Sequence, residues 1–159
     1  MADQFGVETR IVDAVIEANA RQRDAMIPKI ESLVGDLRGK QIGVLGLSFK
    51  PETDDMRESP AIDIINALVK RGAKVRAFDP VAMDEAKHCL PEIEYAGDEY
   101  EAIAGADLLL IITEWNQFRA LDMEKVKDLL KTPKIADLRN IYEPEDMLEF
   151  GFEYVGVGR

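Results

Sequence analysis

Residues 40–60, KQIGVLGLSFKPETDDMRESP, constrain the fold more than any other stretch. Ile42, Val44, Leu45 and Leu47 make a short, nearly continuous apolar run, thinned by Gly43 and Gly46. That is the pattern of a strand covered on both faces in a parallel sheet. A long polar loop carrying Lys50 and Arg57 follows. Ser59 and Pro60 then stand where an N-cap and a first helical residue belong, ahead of AIDIINALVKRG, which ends in Lys70, Arg71 and Gly72 as helix C-termini prefer. Strand, loop, helix is the opening unit of a nucleotide-binding α/β fold.

The alternation continues downstream. Strands are predicted at residues 74–80, 93–96, 107–113, 134–141 and 152–157, with helices at 83–90, 100–105, 121–131 and 143–150 between them. The 107–113 stretch, DLLLIIT, is the most apolar and the best central strand. Strands alternating with helices predict a Rossmann-like, doubly wound, mostly parallel six-stranded sheet of order 3-2-1-4-5-6. Ahead of it, Val7, Ile11, Val15, Met26, Ile30, Leu33 and Leu37 recur at helical spacing, with Asn19 and Gln22 filling the one gap in the stripe. This predicts a long amphipathic helix over residues 7–37, kinked or restarted near 26–29 because Pro28 removes a backbone donor. Gly35 and Gly39 mark a hinge before the first strand. The stripe must be buried, either on its own domain or against another chain. Two polar residues within it favour a subunit or domain interface.

At 159 residues the chain makes one substantial core plus an appendage. Its 31 acidic and 20 basic residues leave a net charge of −11, which argues against duplex nucleic acid or an anionic membrane as a general partner. An anion site must then be built locally. No apolar run reaches the ~20 residues of a membrane span, and residues 1–10 lack the order of a signal peptide. A cytoplasmic protein is expected. Cys89 and His88 are single and adjacent, so neither a disulfide nor a cysteine metal cluster is expected. Neighbouring side chains diverge on a helix or strand, which disfavours a nucleophile–base pair there.

In the 3-2-1-4-5-6 order, ligands bind above the C-terminal ends of the first and fourth strands, where the winding reverses. The loops there bring Lys50, Arg57, Thr113, Glu114, Trp115 and, one strand further on, Arg139. Three cations on one rim suit a diphosphate, Arg as a bidentate fork and Lys as a movable point charge. Alternatives stand beside this. Arg57 pairs with Asp54, Asp55 or Glu58, Trp115 is a packed lid residue rather than a stacking platform, and Asp79 is either an acid for ribose hydroxyls or a turn former. The G-x-G-x-x-G dinucleotide fingerprint is absent, with Phe49 and Lys50 where backbone approach calls for glycine. This favours a nucleotide sugar over a self-sufficient dinucleotide site.

GLSFKPETDDMRESPA, FDP at 78–80, ADLLLIITEWNQF at 106–118 and DLRN at 137–140 together resemble the C-terminal third of the UDP-glucose/GDP-mannose dehydrogenase family. The resemblance implies an NAD-dependent oxidoreductase that takes UDP-glucose to UDP-glucuronate in two oxidations, for polysaccharide synthesis. Residues 1–38 would be the long helix of the central dimerisation domain, making a homodimer, and 39–159 the UDP-sugar-binding domain. Phe49, Lys50 and Arg139 would contact the nucleotide sugar, and Arg57 the NAD held mainly by a domain absent from this chain. The family's catalytic cysteine lies in a G-x-G-G-x-C segment, whereas Cys89 lies in HCLP. The chain is therefore expected to be a fragment with no catalytic residue of its own, inactive alone. Leu138 stands where the family has glycine, and its side chain crowds the approach to Arg139. Two other readings are a shortened regulatory or scaffolding paralogue that pairs with intact subunits, and a stand-alone NAD enzyme, which the broken glycine pattern disfavours.

Overall fold

A computed structural model describes residues 10–158. In chain order the elements are α1 (Arg10–Val34), β1 (Gln41–Leu45), α2 (Pro60–Lys70), β2 (Lys74–Phe78), α3 (Met83–Cys89), β3 (Glu94–Tyr95), α4 (Glu99–Ile103), β4 (Leu108–Ile111), α5 (Asn116–Arg119), α6 (Met123–Leu129), β5 (Lys134–Asp137), α7 (Pro144–Glu149) and β6 (Glu153–Gly156). The six strands form one sheet in the order β3-β2-β1-β4-β5-β6, every pairing parallel. This is the expected Rossmann-like winding. Several predicted strands stop early, and the fifth shows why. Its Asp137 turns inward, accepting from the amides of Arg139 (3.0 Å), Ile141 (2.7 Å) and Tyr142 (3.1 Å), and so folds 138–142 into a loop rather than more strand. The short α5 was not legible as an element of its own.

The sheet is covered on both faces, as its apolar runs require. Ile42, Val44 and Leu110 face a layer containing Ile30, Ile64 and Leu68; Leu45, Leu109 and Ile111 face Ile103, Phe118 and Val126. All four residues of β4 are fully buried. Burying each such side chain contributes on the order of 2 kcal/mol before conformational entropy is charged against it.

Two details set up the loops above the sheet. Gly46 has φ +89°, and a Cβ there would sit 2.6 Å from the Thr113 amide nitrogen, so only glycine lets the ends of β1 and β4 meet this closely. Ser59 caps α2: its Oγ accepts from the Ala61 amide (3.2 Å) and donates to the Leu47 carbonyl (2.6 Å), tying the helix start back to the strand end. Ser59→Ala loses a cap and leaves a buried carbonyl without its donor. A loss of roughly 1–2 kcal/mol in urea unfolding is expected.

α1 runs unbroken through Pro28, so the predicted restart near 26–29 does not occur. The carbonyl that Pro28 cannot serve belongs to Asp24, which is exposed, so water can satisfy it. The helix divides into two halves. Met26, Ile27 and Ile30 are buried in the domain core; Lys29 donates to the Gly156 carbonyl and Lys134 to that of Leu33, each at 2.5 Å. Ile11 (82%), Val12, Val15 and Ile16 are instead exposed. Val7, the first residue of the predicted stripe, lies outside the described residues.

Candidate functional site

Above the C-terminal ends of β1, β4 and β5 lies a cleft of about 320 Å³. Its sheet-side wall carries Phe49, Lys50 and Arg139 over an apolar floor that includes Ile112 and Leu138. Leu138 packs against the core as part of that floor.

The loop that presents Lys50 is fixed at its base, where the Phe49 amide donates to the Asp55 carbonyl at 2.8 Å. Glu52 (φ 61°) and Glu58 (φ 58°) make the left-handed turns that this compact shape needs. Phe49 and Lys50 are exposed, and Lys50 makes no ion pair among the described residues. Arg139 is held differently. Its Nε and Nη2 form a fork on Glu114, at 2.5 and 2.8 Å. That hydrogen bond, against partial burial, keeps the Glu114 carboxyl below its ordinary range. The fork leaves Nη1 available and fixes the plane in which it is offered. The cleft therefore holds one exposed ammonium without an ion pair among the described residues and one oriented, partly neutralised guanidinium.

Below this rim sits a buried clamp. Asp79 Oδ2 accepts from the amides of Leu47 (2.8 Å) and Ser48 (3.0 Å), from Ser48 Oγ (3.0 Å) and from Trp115 Nε1 (3.2 Å); Oδ1 accepts from the amides of Val81 (3.0 Å) and Ala82 (2.8 Å). Burial alone would raise this carboxyl, but the amide bonds from Leu47, Ala82, Ser48 and Val81 outweigh it and hold it below the ordinary range. With both oxygens engaged inside the protein, Asp79 is a clamp and not an acceptor for ribose hydroxyls. Trp115 is a buried packing residue and Thr113 donates to the Ser48 carbonyl at 2.7 Å, so neither side chain is free to take a ligand.

Arg57 does not share the rim. Its guanidinium donates to Asp55 at 3.0 and 2.9 Å and stands over a separate hollow with Glu85 and Cys89. The bond from Arg57 pulls Asp55 down to about 2. Lys50 lines the cleft and Arg57, paired with Asp55, lines the neighbouring hollow, so the expected rim of three cations divides into Lys50 with Arg139 and Arg57 apart.

The opposite wall of the cleft comes from α1, through Asn19, Gln22, Arg23 and Met26, while Glu58 stands at the start of α2. Arg23 reaches across to Asp63 of α2 (3.1 Å). Arg23 and Glu58 went unread as site residues because nothing in their spacing separates them from solvated charges. The signal for Asn19 and Gln22 was present, as the polar gap in the stripe, but pointed equally to a subunit interface.

Residues 43–144 match the model of the UDP-glucose/GDP-mannose dehydrogenase family, UDP binding domain. The chain is 45% identical to a UDP-glucose 6-dehydrogenase of Rhizobium meliloti, over 99% of this chain and 36% of that protein. It is 42% identical to the UDP-glucose 6-dehydrogenase TuaD of Bacillus subtilis, over 100% and 35%. Among solved structures, a UDP-glucose dehydrogenase from Pyrobaculum islandicum superposes with a TM-score of 0.81 at 30% identity, covering 98% of this chain and 34% of that one. The chain thus spans about a third of the length of the curated relatives it matches.

Proposed function

The chain belongs to the UDP-glucose/GDP-mannose dehydrogenase family through its UDP binding domain, and from that membership we propose that it binds UDP-glucose, with the diphosphate held between Lys50 and Arg139 and Phe49 beside it. The observation that carries this reading is that these three side chains, from the β1 and β5 loops, line one cleft at the place where the sheet's winding reverses. Lys50 supplies an exposed charge and Arg139, aimed by Glu114, supplies direction.

The role is to anchor and orient the substrate for an NAD-dependent, two-step oxidation of the sugar's C6 alcohol to a carboxylate. The chemistry belongs to groups outside this cleft. Cys89 is exposed in the Arg57 hollow, among different residues from those that line the cleft. The end of β1 does not fit a dinucleotide, since Asp79 is consumed and Phe49 and Lys50 stand where bare backbone is needed. Arg57, with its side chain 89% exposed, is the group proposed to face NAD carried elsewhere.

We further propose residues 1–38 as the helical element of a dimerisation region and 39–159 as the ligand-binding domain, although the second half of α1 is packed into the core of the latter. The exposed face Ile11, Val12, Val15 and Ile16 favours a homodimer through this helix. It equally suits a shortened regulatory subunit that pairs with intact dehydrogenase; co-elution with full-length enzyme, against self-association alone, separates the two. Among the described residues no helix is long and apolar enough to cross a membrane, and a cytoplasmic location is part of the proposal.

Calorimetry in low-salt buffer tests the reading. UDP-glucose and UDP are expected to release heat with a millimolar or tighter Kd, and glucose none; no heat from either nucleotide at millimolar concentration would overturn it.

A further inference from the structure

The apolar stripe of α1 is interrupted at Asn19 and Gln22, and the fold gives this gap a place. At Met26 and Ile30 the stripe is buried against α2 and the sheet. Four and seven residues earlier, on the same helix face, Gln22 and Asn19 pass beyond the edge of the core and stand over the cleft, opposite Lys50 and Arg139. Further toward the N-terminus the stripe turns apolar again at Val15 and Ile11, where it has left the domain and is exposed. Polarity thus appears only where α1 faces the cleft. Among the described residues, neither carboxamide has a hydrogen-bond partner, so both are available to one.

We infer that α1 is the second wall of the ligand site, with Asn19 and Gln22 as binding residues for the neutral half of a nucleotide sugar. A carboxamide presents a donor and an acceptor together and carries no charge. It pairs well with hydroxyls and with an imide edge but gives little to a phosphate, which Lys50 and Arg139 already serve. From Met26 back to Asn19 the helix rises about 10 Å, enough to lie alongside a diphosphate and the ring attached to it. This assignment rests on the cleft being a nucleotide-sugar site, and the test separates the two claims.

UDP-glucose and inorganic pyrophosphate are titrated by calorimetry into the whole chain, the doubly substituted Asn19→Ala, Gln22→Ala chain and Lys50→Ala. The double substitution is expected to weaken UDP-glucose about tenfold, two hydrogen bonds' worth, and to leave pyrophosphate unchanged, while Lys50→Ala weakens both. In the unsubstituted chain the side-chain amide resonances of Asn19 and Gln22 should shift with UDP-glucose and not with pyrophosphate. This second readout does not depend on how the variants fold. If the unsubstituted chain binds neither ligand, the nucleotide-sugar reading falls and this inference with it. If it binds UDP-glucose but the double variant binds equally well and the amide resonances stay still, the inference alone is overturned. Equal weakening of both ligands by the double variant would overturn the assignment to the neutral half.

Discussion

Asp79→Ala is expected to cost about 5 kcal/mol or more and to leave the chain largely unfolded at room temperature. Six donors converge on this carboxylate, which is fully buried. Hydrogen bonds to a charged acceptor contribute about 1.5–3 kcal/mol each, and removing one partner of a buried charged network typically costs about 3–5 kcal/mol. A domain of this size is stable by only about 5–15 kcal/mol. The damage is also local to function, because Asp79 holds the start of the loop that presents Phe49 and Lys50. Asp79→Asn keeps the shape but turns two N–H groups toward donors, so an intermediate loss of about 3 kcal/mol is expected.

The pH dependence has a definite sign. The Asp79 carboxyl is depressed in the folded chain, so its contribution is complete above the unfolded carboxylate range near 4 and is lost as pH falls through the lower folded value. Urea midpoints for the parent chain should therefore drop steeply below pH 4, and Asp79→Asn should flatten that limb. An Asp79→Ala chain melting within a few degrees of the parent would contradict the clamp.

Lys50→Ala is expected to weaken UDP-glucose about 30-fold with no measurable change in melting temperature. Lys50 is exposed and makes no ion pair among the described residues, and exposed substitutions of this kind stay within about 0.5 kcal/mol. In the complex it supplies one charge-assisted bond to the diphosphate, worth about 2 kcal/mol, which is the stated fold-change. Binding should also lose part of its salt dependence, since exposed charge pairs are screened. Arg139→Ala removes a guanidinium already half-neutralised by Glu114, so a smaller loss of affinity follows. If calorimetry finds UDP-glucose affinity unchanged in Lys50→Ala, this residue is not the phosphate anchor.

The winding of the sheet was readable because alternating strands and helices leave few topologies. The continuous runs at 42–47 and 107–113 also identified β1 and β4 as the buried pair. That winding also places Lys50 above the end of β1 and Arg139 above the end of β5, one strand beyond β4, on the same side of the sheet. What the chain did not disclose lay in side-chain partnerships. An Asp followed by Pro at 79–80 looks the same whether it turns out to ribose or in to six donors, and only the depth of the β1–β2 crevice decides. Arg57 and Lys50 are seven residues apart on one loop, yet they line different hollows, Arg57 paired with Asp55. Periodicity found α1 but not its division, since the same stripe runs from the core, past the cleft, into solvent.

Backbone amide shift mapping with UDP-glucose tests the central claim most directly. Perturbed resonances are expected at 48–51, at 113–116 and at 138–141, on both sides of the Lys50–Arg139 cleft. Perturbations gathered instead around Arg57, Glu85 and Cys89, with the 138–141 loop silent, would contradict it.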